Sequence, residues 1–259
     1  MIATQKILIL SGMHRSHTSL VARACHTAGL YLGDDLIEAA TSNPYGHYES
    51  KAIVDFHKSS IAQQNLSSWW SKINCERAMS YGREDDFIAA ARSIWRPEDS
   101  EQTVGWKDPR AIFFLSGWAE AYPDTKFILM WRHPIEVVRS LNKRVITRSG
   151  TSWHPLLTRR HFNHWKSSNQ ALLHWIRLNQ DRGHLISSNY MLDDPDTAAS
   201  SLNERLRDWQ INLDVSFTKV IDPSLIQHQE ERDKVYKEYE RRSDIQSLYQ
   251  ELKNFTLSQ

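Results

Sequence analysis

KILILSGMHRSHTSL, residues 6–20, reads as a strand, a polar turn and the start of a helix. Lys6 to Leu10 carries a short continuous apolar run, the pattern of a strand buried on both faces. Ser11 and Gly12 end that run in a polar loop. An apolar-periodic stretch follows from Thr18 to Ala28, with Gly29 at the stop position. A loop between a strand and a helix N-terminus offers backbone N–H groups without intrahelical partners and the positive end of the helix dipole. It is a ready site for an anion.

Outward from this opening the chain alternates strands with helices. A helix is expected over 50–61 and another over 83–95, while 65–82, with Trp69 and Trp70, shows no clear period. Thr103 to Trp106 is a second strand. Asp108 and Pro109, a strong N-cap and a strong first helical residue, predict a helix running to Tyr122. KFILMW, residues 126–131, is the clearest strand, and a helix from Pro134 to Ile146 follows it. Residues 147–158 read as a loop and 161–182 as a long helix. His184 to Ser187 is a weak strand, and 197–209 a helix. The tail from 224 to 252 reads as a surface helix with an apolar stripe at Val235, Tyr239 and Leu248. Such alternation implies an α/β fold with a central parallel sheet flanked by helices, and ligands then sit beyond the carboxyl ends of the strands.

The 259 residues suffice for one core, so residues 1–259 are expected to form a single domain. With 32 basic and 31 acidic side chains, no global footprint for nucleic acid or an anionic membrane is expected. Two cysteines, Cys25 and Cys75, make neither a disulfide framework nor a zinc spacing, and no apolar run reaches membrane-spanning length. A cytoplasmic protein without a metal is the expectation.

Set against the phosphate-loop pattern G-x-x-x-x-G-K-[ST], Gly12 takes the first glycine position and Ser19 the final hydroxyl. His17 stands at the second glycine and Thr18 at the lysine. That lysine normally reaches the terminal phosphates of a nucleoside triphosphate, so its absence argues against kinase or ATPase chemistry. Arg15 offers a cation inside the loop instead. The segment resembles G-x-x-R-S-G-T-[ST], the loop with which sulfotransferases hold the 5′-phosphosulfate of 3′-phosphoadenosine 5′-phosphosulfate (PAPS). Gly12, Arg15, Ser16, Thr18 and Ser19 match it, and His17 departs from it. Either the loop bends differently at His17 or its imidazole has a task near the sulfuryl group.

WRHPIEVVRS, residues 131–140, places Arg132 at a strand end and Ser140 eight residues on, a little over two helical turns away. This resembles the sulfotransferase element for the 3′-phosphate of PAPS. VGWKDPR, residues 104–110, resembles the Lys-Asp-Pro element of tyrosylprotein and bacterial sulfotransferases, in which the lysine lies near the bridging oxygen of the leaving group. Lys107 is the matching residue, Asp108 is explained as an N-cap, and Arg110 faces either nucleotide or solvent. NPYGHYES, residues 43–50, resembles a bacterial N-P-x-G-x-x-E segment and nominates Glu49 as the base that takes the acceptor's proton. Glu49 would sit in a helix first turn, where the dipole alone favours a carboxylate. His47, His14 and His17 are the alternatives.

The resemblance covers residues 5–145 and implies a P-loop nucleoside-triphosphate-hydrolase-like sulfotransferase fold. It implies transfer of a sulfuryl group from PAPS to a hydroxyl or amine, with PAP as product. Gly12, Arg15, Ser16, His17, Thr18, Ser19, Arg132 and Ser140 would hold the nucleotide, and Glu49, Lys107, Arg15 and His17 would serve the chemistry. The acceptor, a small molecule, glycan or peptide, is not named by the sequence; its pocket is expected from 45–82 and 147–170. A P-loop kinase-like enzyme and a non-catalytic nucleotide-binding module are the rival readings. Two weaker readings complete the picture: Tyr190 as a core residue rather than a stacking partner of adenine, and Lys143, Arg144, Arg148, Arg159 and Arg160 as a solvated basic helix face rather than an attractor for an anionic acceptor such as a sugar acid.

Overall fold

The computed structural model describes residues 5–39, 45–63, 75–95, 102–150, 154–223 and 233–259. Within them β1 (Ile7–Gly12), β2 (Val104–Lys107), β3 (Lys126–Trp131) and β4 (Gly183–Ser187) form a parallel sheet in the order β2-β1-β3-β4. The helices, in chain order, are α1 (Thr18–Thr27), α2 (Lys51–Gln63), α3 (Cys75–Tyr81), α4 (Asp85–Ile94), α5 (Leu115–Ala121), α6 (Pro134–Ser149), α7 (Pro155–Leu178), α8 (Ser188–Asp193), α9 (Pro195–Asp208), α10 (Lys234–Glu240) and α11 (Ser243–Leu257). Among the described residues no helix is long and apolar enough to cross a membrane.

Alternation along the strands builds two apolar layers. Ile7, Ile9, Val104, Trp106, Phe127 and Leu129 join the layer covered by α2 to α7 and by α10 and α11. Leu8, Leu10, Ile128, Met130 and Ile186 join the layer covered by α1, α8 and α9. Both faces of each strand are therefore dry, which is why the strands read as unbroken apolar runs. The chain leaves β1 toward β2 on one side and leaves β3 toward β4 on the other. The crevice of such a sheet lies at that reversal, outside the carboxyl ends of β1 and β3.

Gly12 is set by this strand packing. It pairs with Met130 in the β1–β3 ladder, and a Cβ on it would lie 2.2 Å from the Met130 carbonyl oxygen. That oxygen is backbone and cannot move aside, so only glycine lets the loop leave β1 here. Gly12→Ala is expected to cost about 3 kcal/mol. A drop of roughly 10 °C in the thermal midpoint, followed by circular dichroism, checks it.

Several boundaries differ from the sequence reading. The helix expected from Asp108 to Tyr122 is a 3₁₀ turn over Pro109–Phe113 followed by α5, with Phe114 at φ −124°, ψ 15° between them. The Phe114 ring stacks flat on His57 and Phe87, at interplanar angles of 7° and 17°, and this packing overrides helix propensity. The loop expected at 147–158 is shortened from both sides. Helix α6 runs on to Ser149 and stops at Gly150 in the left-handed region (φ 64°), and α7 begins at Pro155, where His154 Nδ1 accepts the Leu156 amide.

The tail is not one surface helix. It breaks at Arg241 and Arg242 into α10 and α11, and Val235, Ile245, Leu248 and Leu252 are buried. Part of the expected helix, 224–232, lies outside the described residues. Helix α11 braces the end of β3. Trp131 Nε1 donates to Thr256 Oγ1 at 2.9 Å, and Tyr249 packs edge-on against Trp131 and against His133. Tyr190 is 37% exposed and is not a core residue.

Candidate active site

All four strands end in polar groups at the same edge of the sheet. β1 delivers the loop from Met13 to His17, β2 delivers Lys107 and Asp108, β3 delivers Arg132, and β4 delivers Ser187 and Ser188.

The loop after β1 keeps the shape that a glycine at position 17 would allow. His17 adopts φ 58°, ψ 26°, and Arg15 adopts φ 71°. Each left-handed non-glycine residue costs about 1–2 kcal/mol, a local strain of the kind found at functional sites. His17 also makes a side-chain contact. Its Nδ1 lies 2.5 Å from Ser188 Oγ, which ties the phosphate loop to the end of β4. Burial, and then the nearby Arg132 and Arg15 guanidiniums, push the His17 imidazole down to about 3. It is a neutral ring at physiological pH.

His17 caps α1 without a side-chain hydrogen bond, and the first turn of α1 carries no acidic residue. The amides and dipole of this helix end are thus left to a ligand. Ser16 Oγ is fully buried and has no hydrogen-bond partner among the described residues. A buried hydroxyl left in that state is costly unless a ligand or water completes it. Ser19 Oγ makes a long bond, 3.4 Å, to the His47 carbonyl.

The two anion motifs meet. Arg15 Nε donates to Ser140 Oγ at 2.7 Å across 125 residues of chain, and Arg132 Nη1 donates to the Arg15 carbonyl at 3.2 Å. Arg132 is aimed by Glu136, whose Oε2 accepts from its Nε at 2.6 Å. Asn189 holds Glu136 in turn through a 2.8 Å bond. Burial, then repulsion from Arg144 and Arg132, lower the pKa of Arg15. Like charges gathered this closely call for an anion between them.

Beside this lies a second cluster. Lys107 is 1% exposed, and its Nζ donates to Glu49 Oε1 at 2.6 Å. Glu49 stands before α2, not in its first turn, so the helix dipole does not account for it. Its partners are Lys107 and, at 3.7 Å, Arg110 Nη1. Burial lowers the Lys107 pKa and Glu49 opposes that shift. Asp108 caps the 3₁₀ turn as expected, accepting the Arg110 amide at 2.9 Å, and it also accepts Arg110 Nη1 at 2.8 Å and His57 Nδ1 at 2.8 Å.

The candidate residues at the ends of β1, β2 and β3 and on the loop before α2 therefore fall in one neighbourhood, and Ser140 joins it from α6. The sequence reading missed His57, Glu136, Asn189 and Ser188, and gave Asp108 only part of its role. It also read Arg144 as a solvated face. Arg144 is half-buried, one turn beyond Ser140 on α6, and close enough to Arg15, His14 and His47 to shift all three. Arg159, by contrast, is an exposed partner of Glu238. The Arg148 side chain lies outside the described residues, as do 64–74, with Trp69 and Trp70, and 151–153 of the expected acceptor pocket. Among the described residues no group of His, Cys, Asp or Glu is placed to hold a metal ion.

A parallel α/β sheet with a glycine-bearing loop after its first strand and two arginines converging beside it defines a P-loop-like fold. The chain belongs to the Sulfotransferase family, whose pattern is matched by residues 8–210, and that family's chemistry is sulfuryl transfer. No curated protein sequence matches it. The solved sulfotransferase STF1 of Mycobacterium tuberculosis H37Rv superposes with a TM-score of 0.60 at 14% identity, over 93% of this chain and 77% of that one. The sulfotransferase of Alicyclobacillus acidocaldarius gives 0.54 at 13% identity, over 98% and 96%. The sulfotransferase domain from the curacin biosynthetic pathway gives 0.52 at 17%, over 98% and 99%. At such identities the likeness speaks for the fold, a P-loop-like sheet flanked by helices.

Proposed function

We propose that this protein transfers a sulfuryl group from PAPS to a hydroxyl or amine of a small-molecule, glycan or peptide acceptor. The observation that carries the reading is the contact of Arg15 with Ser140 and Arg132, which joins the phosphate loop to the second anion element. A ligand charged at both ends suits that pairing. The residues fit it: Ser16 offers an unmatched buried hydroxyl, α1 an uncapped N-terminus, and Arg15 and Arg132 two guanidiniums.

In this reading Gly12, Arg15, Ser16, His17, Thr18 and Ser19 hold the phosphosulfate end, and Arg132 and Ser140 the 3′-phosphate. When bound, PAPS supplies the sulfuryl group, and the departing phosphate keeps the electrons of the broken S–O bond. Glu49 takes the proton that the acceptor gives up as its new bond to sulfur forms. Among the alternatives His17 is turned to Ser188 through Nδ1 and held neutral at about 3, and burial lowers the pKa of His14 and His47 as well. His17 is left as a contact of the loop with Ser188. Lys107, beside Glu49, and Arg15 meet charge growing on the leaving oxygen, so positioning and electrostatics supply most of the rate. Near-balanced charge and the small number of cysteines go with a cytoplasmic protein that binds neither nucleic acid nor membrane.

Incubation with ³⁵S-labelled PAPS and fractionated acceptor extracts is expected to give a labelled product that depends on both protein and acceptor. Mg²⁺-dependent ATP turnover, or PAP binding without transfer to any pool, would overturn the reading in favour of a kinase-like enzyme or a binding module.

A further inference from the structure

We infer that His57, on α2, is a positioning residue of this site, acting through Asp108 on Arg110, Lys107 and Glu49. The inference rests on the function proposed above and adds to it a residue that touches no ligand.

His57 is completely buried, and three contacts fix its ring. Its Nδ1 lies 2.8 Å from Asp108 Oδ2, Trp118 Nε1 lies 2.9 Å from its Nε2, and Phe114 stacks on it at 5.4 Å and 7°. An indole nitrogen only donates. Nε2 must therefore be the acceptor, and the ring proton sits on Nδ1, aimed at Asp108. Phe56 and Phe87 complete an aromatic box around this one polar ring and the Trp118 indole. A histidine needed only for bulk would not require two aligned partners, and a phenylalanine would fill the same box without burying polar atoms.

Asp108 is where the box meets the chemistry. Its Oδ2 takes the His57 proton, and its Oδ1 takes both the amide and the guanidinium of Arg110. Its carbonyl accepts Ser11 Oγ at 2.9 Å, and its amide donates to the Leu10 carbonyl at 3.2 Å. Through its backbone Asp108 thus links the end of β2, which carries Lys107, to the end of β1, which carries the phosphate loop, while its carboxylate is held by His57. It also holds Arg110 at 2.8 Å, against 3.7 Å from that guanidinium to Glu49, and leaves Lys107 as the close partner of Glu49. Without the His57 donor, Asp108 must find its missing bond elsewhere. Arg110 is the group within reach, and the division of cations between Asp108 and Glu49 changes.

The test compares wild type with His57→Phe and His57→Asn, using release of PAP from ³⁵S-PAPS in the presence of the active acceptor fraction as the turnover and calorimetry with PAP as the binding measurement. His57→Phe is expected to lower kcat roughly 10- to 100-fold, the effect typical of a lost outer hydrogen-bond partner. KM for PAPS and affinity for PAP should stay within about twofold, and the acid limb of the kcat–pH profile should move. His57→Asn keeps an N–H toward Asp108 and is expected to recover most of kcat. A His57→Phe enzyme with wild-type kcat and an unmoved limb overturns the inference. So does a loss that His57→Asn does not recover and that tracks a lower melting point. Should His57→Phe fail to fold, ¹⁵N imidazole shifts of the wild type decide: a neutral Nδ1–H ring is expected, and an Nε2–H ring or imidazolium overturns it. A wild type that neither binds PAP nor turns over PAPS fails the functional reading itself, and the positioning role falls with it. A wild type that does both while His57→Phe matches it fails the inference alone.

Discussion

Replacing Arg15 or Arg132 with alanine weakens PAP binding roughly 10- to 100-fold while the protein stays folded. A hydrogen bond to a charged group contributes about 1.5–3 kcal/mol, and each 1.4 kcal/mol is tenfold in affinity. Neither side chain fills the apolar layers, so the sheet does not depend on them. Arg15→Ala removes the cation at the centre of the crevice and its bond to Ser140. It also removes a guanidinium whose pKa is lowered by burial and then by repulsion from Arg144 and Arg132, so the unliganded variant should melt no lower than wild type. Arg132→Ala releases Glu136 from its 2.6 Å partner, placing a carboxylate without its cation, still held by Asn189, beside the anion site. That second effect predicts the larger loss for Arg132. Calorimetric titration with PAP at fixed ionic strength measures both. Wild-type affinity in the two variants would remove the nucleotide from this crevice.

Glu49→Gln lowers turnover by about 10²–10⁴ and leaves PAP affinity nearly intact, because loss of a general base acts on the reacting hydroxyl and not on the grips for the donor. The substitution has a second consequence. Lys107 is almost wholly buried, and its ammonium faces Glu49 at 2.6 Å. Removing one partner of a buried pair leaves an uncompensated charge, which typically costs 3–5 kcal/mol. Burial already lowers the Lys107 pKa, so the lysine of the variant is expected to shed its proton as the cheaper outcome. The variant should therefore become more stable relative to wild type as pH rises. Chemical denaturation at pH 7 and pH 9 reads this, and single-turnover rates with PAP titrations read the catalytic loss. A Glu49→Gln enzyme with wild-type turnover would take Glu49 out of the mechanism.

The fold was legible where local signals and burial agree. β1 and β3 are apolar on both faces and bounded by polar residues, so length and composition suffice to find them. The phosphate loop was legible because a glycine, an arginine and three hydroxyl residues are crowded between a strand and a helix. What escaped depends on contacts between distant segments. Nothing near Glu49 in sequence foretells Lys107, which lies 58 residues away, and nothing near Asp108 foretells His57, 51 residues away. A signal for His57 existed: Ile53, Val54, His57, Ser60 and Ile61 are the buried positions of α2, so a titratable ring lies on the apolar stripe of a helix. Within the described part of the tail, burial was hidden because its charged side chains pair with α6 and α7, Arg139 with Asp233 and Lys166 with Asp244, and so can sit against the body of the protein.

The adjacency of β1 and β3 sets a fixed gauge. Arg15 and Arg132 follow two neighbouring strands, held in register from Leu8 with Lys126 to Gly12 with Met130. The strands beneath them are spaced about 4.8 Å apart, as in any sheet, and the bond from Arg132 to the Arg15 carbonyl ties the loop to that frame. The jaws of this caliper cannot widen without unzipping the middle of the molecule. Under the proposed function a ligand bearing charge at one end only would fill one jaw, and the nucleotide would be selected by length before any base is read.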